Sequence, residues 1–359
     1  MKYEERLQHA DITPELPFPV AEYERRIAAV RDRMRVRDID LLVVSNTSSW
    51  TYLTGYDSTM PSCYGVGLLP IEGRPAAHTA ELEVPCVMYN SIVEDICVYD
   101  TQNDTTTADQ LADVLLERGY DGKTIGIEMG YSDTFAIGAY DVRSFLTLRQ
   151  RLPRATFVDT TELVLDERVI KTPAELDYMR QAGKLTALGI AESFEAIRAG
   201  VTDNEIVAAG YSAMIAAGSE LLSIDGMCMA GHRAGLGPHM PFKRTVLGSG
   251  DAVFLEYTGT FNRYNAPTQR TAVLGEPSPL LRRLADASLE TLQLLLENIA
   301  PGRTGDDVAQ AVQKGLAPVW DEIWWHEVYG YSVGLGMQRP GPSRRPTSPW
   351  ARSASSRRG

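Results

Sequence analysis

A carboxylate at the end of an apolar strand pattern constrains this chain more than any other feature. The residues Ala252-Val-Phe-Leu255 predict a buried strand, and Glu256 follows them directly. A carboxylate that faces into a protein is costly unless it is used, so an inward Glu256 is a candidate base, nucleophile or partner of a cation. Successive strand residues point to opposite faces, and Glu256 could therefore also face solvent.

His239 is the second candidate for chemistry. It stands in Gly-Pro-His-Met-Pro, a loop-like segment that precedes the strand. An imidazole can accept or donate a proton near neutral pH, which a departing nitrogen requires. A purely structural loop histidine is the alternative.

The chain around these two residues resembles the pita-bread family, which contains Xaa-Pro dipeptidases, aminopeptidase P, methionine aminopeptidase, creatinase and ectoine hydrolase. The resemblance rests on His239, on the strand that follows Gly250-Asp251, and on Arg270-Thr271 at the end of the matching segment. In the metallopeptidases of that family, one metal-binding Asp stands at the position of Glu256. A second stands at the position of Pro267, which has no donor atom for a metal.

The metal-binding histidine of those peptidases is replaced as well. It belongs in a glycine turn whose counterpart here is Gly330-Tyr331-Ser332-Val333-Gly334, so Tyr331 takes its place. A Mn, Co or Zn pair needs several carboxylate and imidazole donors in a fixed geometry. The resemblance therefore implies no metal and no other cofactor. It points to creatinase and especially ectoine hydrolase, which cut carbon–nitrogen bonds of small amidine-like molecules without metal.

The resemblance also implies roles for the candidate residues. Water or Glu256 would attack the electron-poor carbon, and His239 would protonate the departing nitrogen. Arg270 could hold a substrate carboxylate through two hydrogen bonds, or it could pair with an internal acid. Creatinase has a Glu at the position of Gln269, so recognition of creatine itself is in doubt. The predicted substrate-binding residues are Arg270, Gln269, Tyr331 and His232.

Three functions follow as hypotheses. The first is metal-independent hydrolysis of a carbon–nitrogen bond in an ectoine- or creatine-type compound. The second is an Xaa-Pro dipeptidase or aminopeptidase that uses metal. The third is a pita-bread protein that binds a ligand without catalysis.

The first part of the chain alternates helical and strand patterns, which is typical of an α/β domain. An amphipathic stretch over Tyr23–Met34 precedes the apolar run Leu41–Val44, and the same pair recurs as Leu111–Leu115 and Thr124–Ile127. Tyr52-Leu-Thr-Gly-Tyr56, with Asn46 before it, resembles a sequence signature of the creatinase N-terminal domain. The resemblance implies a ribonuclease H-like α/β fold for this part.

The start of the second domain is indicated by Arg168-Val-Ile-Lys-Thr-Pro-Ala-Glu175, which resembles the beginning of the pita-bread domain. Pro173 suits the first position of a helix, and Glu175 completes a capping box. A second capping box joins Thr202 and Glu205, and a third helix is predicted over Leu281–Ile299. We expect these helices to cover one face of a curved antiparallel sheet, the α+β arrangement of the pita-bread.

The expected domains are a creatinase-like α/β domain over residues 1–165, an incomplete pita-bread catalytic domain over 166–337 and a disordered basic tail over 338–359. The segment Gln338–Gly359 contains six arginines and no acidic residue, and it has no apolar periodicity with which to pack. The family resemblance stops after Gly336, where relatives continue. We therefore interpret the tail as a frame-shift or truncation product; a regulatory basic tail is the alternative.

Net charge, apolar stretches and cysteine spacing restrict the kinds of partner and the cell compartment expected for this chain. The net charge of −12 argues against nucleic acid, because phosphate binding requires basic surfaces. No apolar stretch reaches the length of a membrane span, and no apolar run follows the charged N-terminus, so a cytoplasmic protein is expected. The cysteines show no Cys-x-x-Cys spacing and fit a reduced protein; they are Cys63, Cys86, Cys97 and Cys228.

The expected partners are a small-molecule substrate and a second copy of the chain. Creatinase-like relatives place an N-terminal domain over the active site of the partner. The aromatic segment Trp50–Tyr64 would supply that lid, with its rings buried against the partner.

Overall fold

The structure is a computed structural model that describes residues 12–60, 63–130, 140–222, 224–237, 239–325 and 330–336. The chain divides into two units. One is built from the residues up to Thr172 with a short segment around Leu335, and the other runs from Pro173 to Gly334. The basic tail Gln338–Gly359 lies outside the described residues.

The N-terminal unit is built on a six-stranded mixed sheet of order β4-β3-β2-β1-β5-β6. β1, β5 and β6 are parallel neighbours, as are β3 and β4, whereas β2 is antiparallel to β1 and β3. The strands are β1 (Leu41–Val44), β2 (Gly65–Pro70), β3 (Ala76–Ala80), β4 (Asp95–Tyr99), β5 (Thr124–Ile127) and β6 (Thr156–Asp159).

In the described part of this unit the sheet is accompanied by six α-helices: α1 (Val20–Val36), α2 (Thr47–Thr54), α3 (Val84–Asn90), α4 (Thr107–Glu117), α5 (Val142–Arg151) and α6 (Thr161–Arg168). The predicted stripe of α1 is confirmed, because Tyr23, Ile27, Val30 and Met34 are all buried. The predicted strands at Leu41–Val44 and Thr124–Ile127 are confirmed as well. Helices and strands alternate as in other α/β layer domains, so the first part of the chain has the expected class.

One buried charge was not visible in the sequence pattern. Arg26 lies on the buried side of α1 and is fully enclosed. Its guanidinium donates to the Tyr52 carbonyl oxygen at 3.0 Å and to the Glu22 carboxylate at 2.9 Å, and it stacks on the rings of Phe18 and Tyr52. These partners compensate for the loss of hydration that burial of a charge causes.

The aromatic segment that we expected to form a lid is instead part of the core of its own unit. Trp50, Tyr52 and Tyr56 are 5%, 1% and 7% exposed. The Tyr56 hydroxyl donates to the Glu83 carboxylate at 2.6 Å. Helix α2 turns these rings inward, so the prediction that they would be buried against a partner is wrong.

The second unit carries an antiparallel sheet of β7 (Met227–Ala230), β8 (Ala252–Phe261) and β9 (Tyr264–Val273), in that order. The long helices α7 (Pro173–Ala196) and α8 (Asp203–Ala216) pack against it. α8 begins with the predicted capping box between Thr202 and Glu205. The apolar core lies between these helices and one face of the sheet.

The β8–β9 hairpin is closed by a two-residue turn. Its central residues, Asn262 and Arg263, both have positive φ, as a type I′ turn requires. The Glu220 carboxylate accepts hydrogen bonds from both of their backbone N–H groups, at 2.7 and 3.0 Å. The turn therefore fixes the strand register, which places Glu256 opposite Gln269 and Thr258 opposite Pro267.

A second helix pair follows the hairpin. α9 (Pro279–Asn298) confirms the helix predicted over Leu281–Ile299, and α10 (Gly305–Leu316) was not predicted although Thr304 and Asp307 form a capping box at its start. Within the described residues, α9 packs mainly on α10. None of the described helices is long and apolar enough to cross a membrane.

Glu128 is a buried acid of the N-terminal unit that lies next to the start of α2. Burial raises the pKa of its carboxyl group to about 7, and hydrogen bonds oppose this shift only in part. Those bonds come from the backbone N–H groups of Asn46 and Ser45, at 2.6 and 2.7 Å. The folded protein therefore binds a proton at Glu128 more tightly than the unfolded chain does.

We predict that Glu128 makes the free energy of unfolding of this unit fall as the pH rises from 5 to 8. A raised pKa favours the folded state below the ordinary value near 4.5, and that advantage is lost as the pH passes about 7. Measured by urea unfolding at pH 5 and pH 8, the change in unfolding free energy should be on the order of 2–3 kcal/mol more unfavourable in the wild type than in Glu128→Gln. His78 opposes this trend because burial lowers its pKa to about 4, but it is present in both proteins and cancels in the difference. Identical pH dependence in the two proteins would contradict the prediction.

Candidate active site

Glu256 and Gln269 form a hydrogen-bonded pair across strands β8 and β9. The two residues are direct neighbours in the sheet register, and the Gln269 Nε2 donates to Glu256 Oε2 at 2.7 Å. Glu256 is only 5% exposed, whereas Gln269 is exposed. The carboxylate therefore faces into the protein, which was the first of our two alternatives for it.

The two faces of this hairpin differ in chemistry. Leu255 and Tyr257 lie on the face that packs against the helices and belong to the apolar core. Because side chains alternate, Glu256, Thr258 and Thr260 lie on the other face, and all three are buried. The sequence analysis identified only Glu256 on this face. The same alternation of side chains along the strand would also have placed Thr258 and Thr260 on the face of Glu256. We name the face that carries Glu256, Thr258 and Thr260 the open face of the hairpin.

The pair with Glu256 fixes the orientation of the Gln269 amide. A carboxylate only accepts hydrogen bonds, so the amide must turn its NH₂ group towards Glu256 and its carbonyl oxygen away. Glu256 uses one oxygen in this bond, and its Oε1 accepts no hydrogen bond from the described residues. The pair therefore presents two free acceptors, one of them on a carboxylate.

Tyr331 lies near this pair. Partial burial and, to a smaller extent, the Glu256 carboxylate raise the pKa of the Tyr331 phenol. The segment of Tyr331 is tied to the hairpin by the Asn265 backbone N–H, which donates to the Gly334 carbonyl oxygen at 3.0 Å. The structure thus brings together three of the predicted site residues: Glu256, Gln269 and Tyr331.

His239 lies in a loop of the same unit whose part after His239 is held by hydrogen bonds. Arg233 donates to the carbonyl oxygen of Pro241, and the buried Asp203 carboxylate accepts from the backbone N–H groups of Lys243 and Thr245 at 2.9 and 3.0 Å. The imidazole itself is exposed and forms no hydrogen bond within the part of the chain that the structure describes. It is available to a ligand, but no contact joins it to Glu256.

The two remaining candidates are placed differently. Arg270 is paired with Leu255 and so lies on the face opposite to Glu256, where its guanidinium donates to the Gln269 carbonyl oxygen at 2.7 Å. It forms no ion pair with an acid of the described segments. His232 is exposed in a short turn after β7. The register of the hairpin, which the sequence pattern alone did not supply, thus separates Arg270 from the pair.

The donors that the described residues place on the open face do not fit a pair of transition-metal ions. Among those residues Glu256 is the one carboxylate on this face, Pro267 has no donor, and the Gln269 amide directs its N–H towards the acid. Across the described segments, no group of three or more His, Cys, Asp or Glu side chains could hold a metal ion. Metal pairs in hydrolases require several such ligands at once.

Comparison with known families assigns both units. Residues 26–170 match the creatinase/prolidase N-terminal domain, and residues 177–354 match metallopeptidase family M24. The second match continues to residue 354, beyond the Gly336 at which we expected the resemblance to stop.

Individual relatives agree with this assignment. The chain is 32% identical to the ectoine hydrolase of Halomonas elongata over 313 residues, which are 83% of this chain and 77% of the relative. It is 27% identical to the Xaa-Pro dipeptidase of Pyrococcus furiosus over 182 residues, which are 50% of this chain and 51% of the relative.

Solved structures share the fold. The prolidase of Pyrococcus horikoshii superposes with a TM-score of 0.75 at 19% identity, over 89% of this chain and 85% of that one. The Xaa-Pro dipeptidase of Bacillus anthracis gives 0.72 at 23% identity, over 90% and 85%. The chain therefore belongs to the M24 family of hydrolases that act on carbon–nitrogen bonds, with a creatinase-type N-terminal domain ahead of a pita-bread domain.

Proposed function

We propose that this protein is a metal-independent hydrolase of a carbon–nitrogen bond in a small amidine-like or zwitterionic compound, with ectoine-type substrates first. The observation that carries the proposal is the hydrogen bond by which Gln269 is fixed on the buried Glu256 carboxylate. The similarity to the ectoine hydrolase of Halomonas elongata supports the same substrate class.

The pair suits a planar nitrogen cation. An amidinium group carries one positive charge and several N–H donors. A site that binds it therefore needs hydrogen-bond acceptors towards which those N–H groups can point. The free oxygen of Glu256 supplies charge and the outward carbonyl oxygen of Gln269 supplies a second acceptor. Because Glu256 is buried, its attraction for a cation is screened less than that of a surface acid.

The reaction would use one proton donor and one attacking oxygen. Water adds to the amidine carbon and gives a proton to the free oxygen of Glu256, and the carbon–nitrogen bond then breaks. In the alternative, that oxygen itself adds to the carbon as the carbon–nitrogen bond breaks, and water then hydrolyses the covalent intermediate and frees Glu256. His239 supplies the proton that the departing nitrogen takes up. The phenol of Tyr331, whose pKa burial and Glu256 raise further above neutral pH, can donate a hydrogen bond to the substrate.

A panel of three substrates separates the hypotheses. Ectoine, creatine and an Xaa-Pro dipeptide are incubated with metal-free protein, and products are followed by nuclear magnetic resonance. We expect ring opening of ectoine. Cleavage of the dipeptide only after manganese is added would favour the metallopeptidase instead, and binding of a compound without turnover would favour the non-catalytic alternative.

We also propose that the protein works as a homodimer in the cytoplasm. The four cysteines are all free, which fits a reducing compartment.

Substitution of the two candidate catalytic residues should abolish most of the turnover. We predict that His239→Ala lowers kcat by roughly two to four orders of magnitude, the usual contribution of general acid–base catalysis. Glu256→Gln keeps the shape of the side chain and should cause a comparable loss. The exposed Glu24 in the N-terminal unit provides the control Glu24→Gln, which should behave as the wild type. Normal turnover in both site variants would show that the site lies elsewhere.

Gln269 should act on substrate binding. Gln269→Leu removes the amide that orients Glu256, and we predict a roughly tenfold fall in kcat/KM, mostly through KM. Thr268→Val is the matched control, because Thr268 is the neighbouring residue of β9 and faces the other way. If the two variants lowered kcat/KM equally, the loss would come from a disturbance of strand β9 and not from removal of the Gln269 amide.

Metal content gives a further test. We predict that purified protein contains no stoichiometric Mn, Co or Zn and that chelators leave both turnover and melting temperature unchanged. The reason is the incomplete donor set around Glu256, Pro267 and Tyr331. Two tightly bound metal ions per chain, measured by mass spectrometry of the metals, would overturn metal independence.

A further inference from the structure

Arg233 is a buried cation for which the described part of the chain supplies no acidic partner. It ends the short turn Gly231–Arg233 that follows strand β7, and it is only 8% exposed. A guanidinium group is always charged and carries five N–H donors. Among the described residues, Arg233 forms one hydrogen bond, to the carbonyl oxygen of Pro241, and no ion pair. The preceding His232 is exposed, so a ligand can reach the turn from solvent.

The same chain shows how an enclosed arginine can be accommodated. Arg26 in the N-terminal unit donates to the Glu22 carboxylate and to the Tyr52 carbonyl oxygen, and it stacks on the rings of Phe18 and Tyr52. Arg233 has one neutral carbonyl oxygen in place of all these contacts. Burial of a charge costs free energy unless an opposite charge and further hydrogen bonds compensate for it. The surroundings of Arg233 therefore favour a bound anion.

Two acids in the adjoining segments are already engaged by backbone N–H groups. The buried Asp203 carboxylate accepts from two N–H groups of the loop that follows His239. Asp251, at the start of strand β8, accepts from the N–H of Gly248 at 2.8 Å. Neither acid forms an ion pair with Arg233 in the segments that the structure describes. The negative charge that Arg233 lacks is thus one that a ligand can bring.

The turn of Arg233 is connected to both parts of the candidate active site. Pro241, to which Arg233 is bonded, stands two residues after His239. In the sheet, the last residue of β7 lies three positions beyond the partner of Glu256, which is about 10 Å at the usual rise of a strand. The long side chain of Arg233 can therefore meet the far end of a small ligand that Glu256 holds.

We propose that Arg233 binds a carboxylate of the substrate, so that the site takes a zwitterion whose nitrogen cation is held by Glu256. This inference rests on the proposed function and names the second charge of its substrate. A guanidinium group and a carboxylate form two parallel N–H···O bonds, which orient a ligand as well as attract it. The sequence analysis considered Arg270 for this role, but the structure places Arg270 on the face opposite to Glu256. Because Arg233 is bonded to the loop of His239, it also connects the bound carboxylate to that loop.

Two rings that differ only in the carboxylate test the inference. Ectoine is a cyclic amidine that carries a carboxylate, and its decarboxylated analogue is the same ring without it. Dissociation constants are measured by nuclear magnetic resonance titration of metal-free protein that carries His239→Ala, so that neither ring is consumed. We expect ectoine to bind about tenfold or more tightly than the analogue, as a charge-assisted pair of hydrogen bonds would give. Adding Arg233→Met should remove this preference.

Two further variants serve as controls in the same background. Arg233→Lys keeps the charge but not the paired donors, and it should retain only part of the preference for ectoine. Arg198 of the same unit also donates to one backbone carbonyl oxygen, that of Ala196 at 3.2 Å, but it is exposed. Arg198→Met should therefore leave the preference unchanged. Circular dichroism and thermal unfolding establish that each variant is folded.

Each failure of the experiment has a distinct meaning. Equal binding of the two rings before Arg233 is changed would overturn the inference and leave the proposed cation site in place. If Arg233→Met weakened both rings by the same factor, Arg233 would only support the loop, and the inference would be wrong. A full preference in folded Arg233→Lys would contradict it as well. If neither ring bound before Arg233 was changed, the proposed function itself would fail, and the inference with it.

Discussion

The hydrogen bond from the Gln269 amide to the buried Glu256 carboxylate links the fold of this protein to its proposed chemistry. It spans two neighbouring strands at 2.7 Å, so it exists only in one register of the β8–β9 hairpin. A slip by one residue would turn Glu256 towards the apolar core and the core residues outward. The turn at Asn262 and Arg263, held by Glu220, prevents that slip. The partly buried Glu220 carboxylate, from the segment between α8 and β7, therefore supports the position of Glu256 in the candidate site.

That register also explains which parts of the site could be predicted from the sequence. An apolar run that ends in Glu256 was sufficient to mark the acid, because burial of an unused carboxylate is costly. The partner Gln269 was marked only through the family resemblance, since its contact with Glu256 depends on pairing between strands. The family resemblance also pointed to Arg270, which follows Gln269 in the sequence. In the structure Arg270 lies on the opposite face of the sheet from Glu256.

The rest of the fold also contains features that could be predicted from the sequence and features that could not. Periodic patterns predicted α1 and β1 correctly, because both bury residues at regular spacing. The burial of the Arg26 and Trp50 side chains could not be predicted, since it depends on contacts with elements distant in sequence. The Trp50 segment was expected to meet a partner and is core instead.

The central claim is that Glu256, oriented by Gln269, forms a site for a planar nitrogen cation. The most direct test compares benzamidine with benzamide, two probes of nearly the same shape of which only the first is a cation. Dissociation constants are measured by nuclear magnetic resonance titration of metal-free protein, for the wild type and for Glu256→Gln. The account predicts that the wild type binds benzamidine at least roughly tenfold more tightly and that the substitution abolishes this preference. Equal binding of both probes, or a preference that survives in Glu256→Gln, would contradict it.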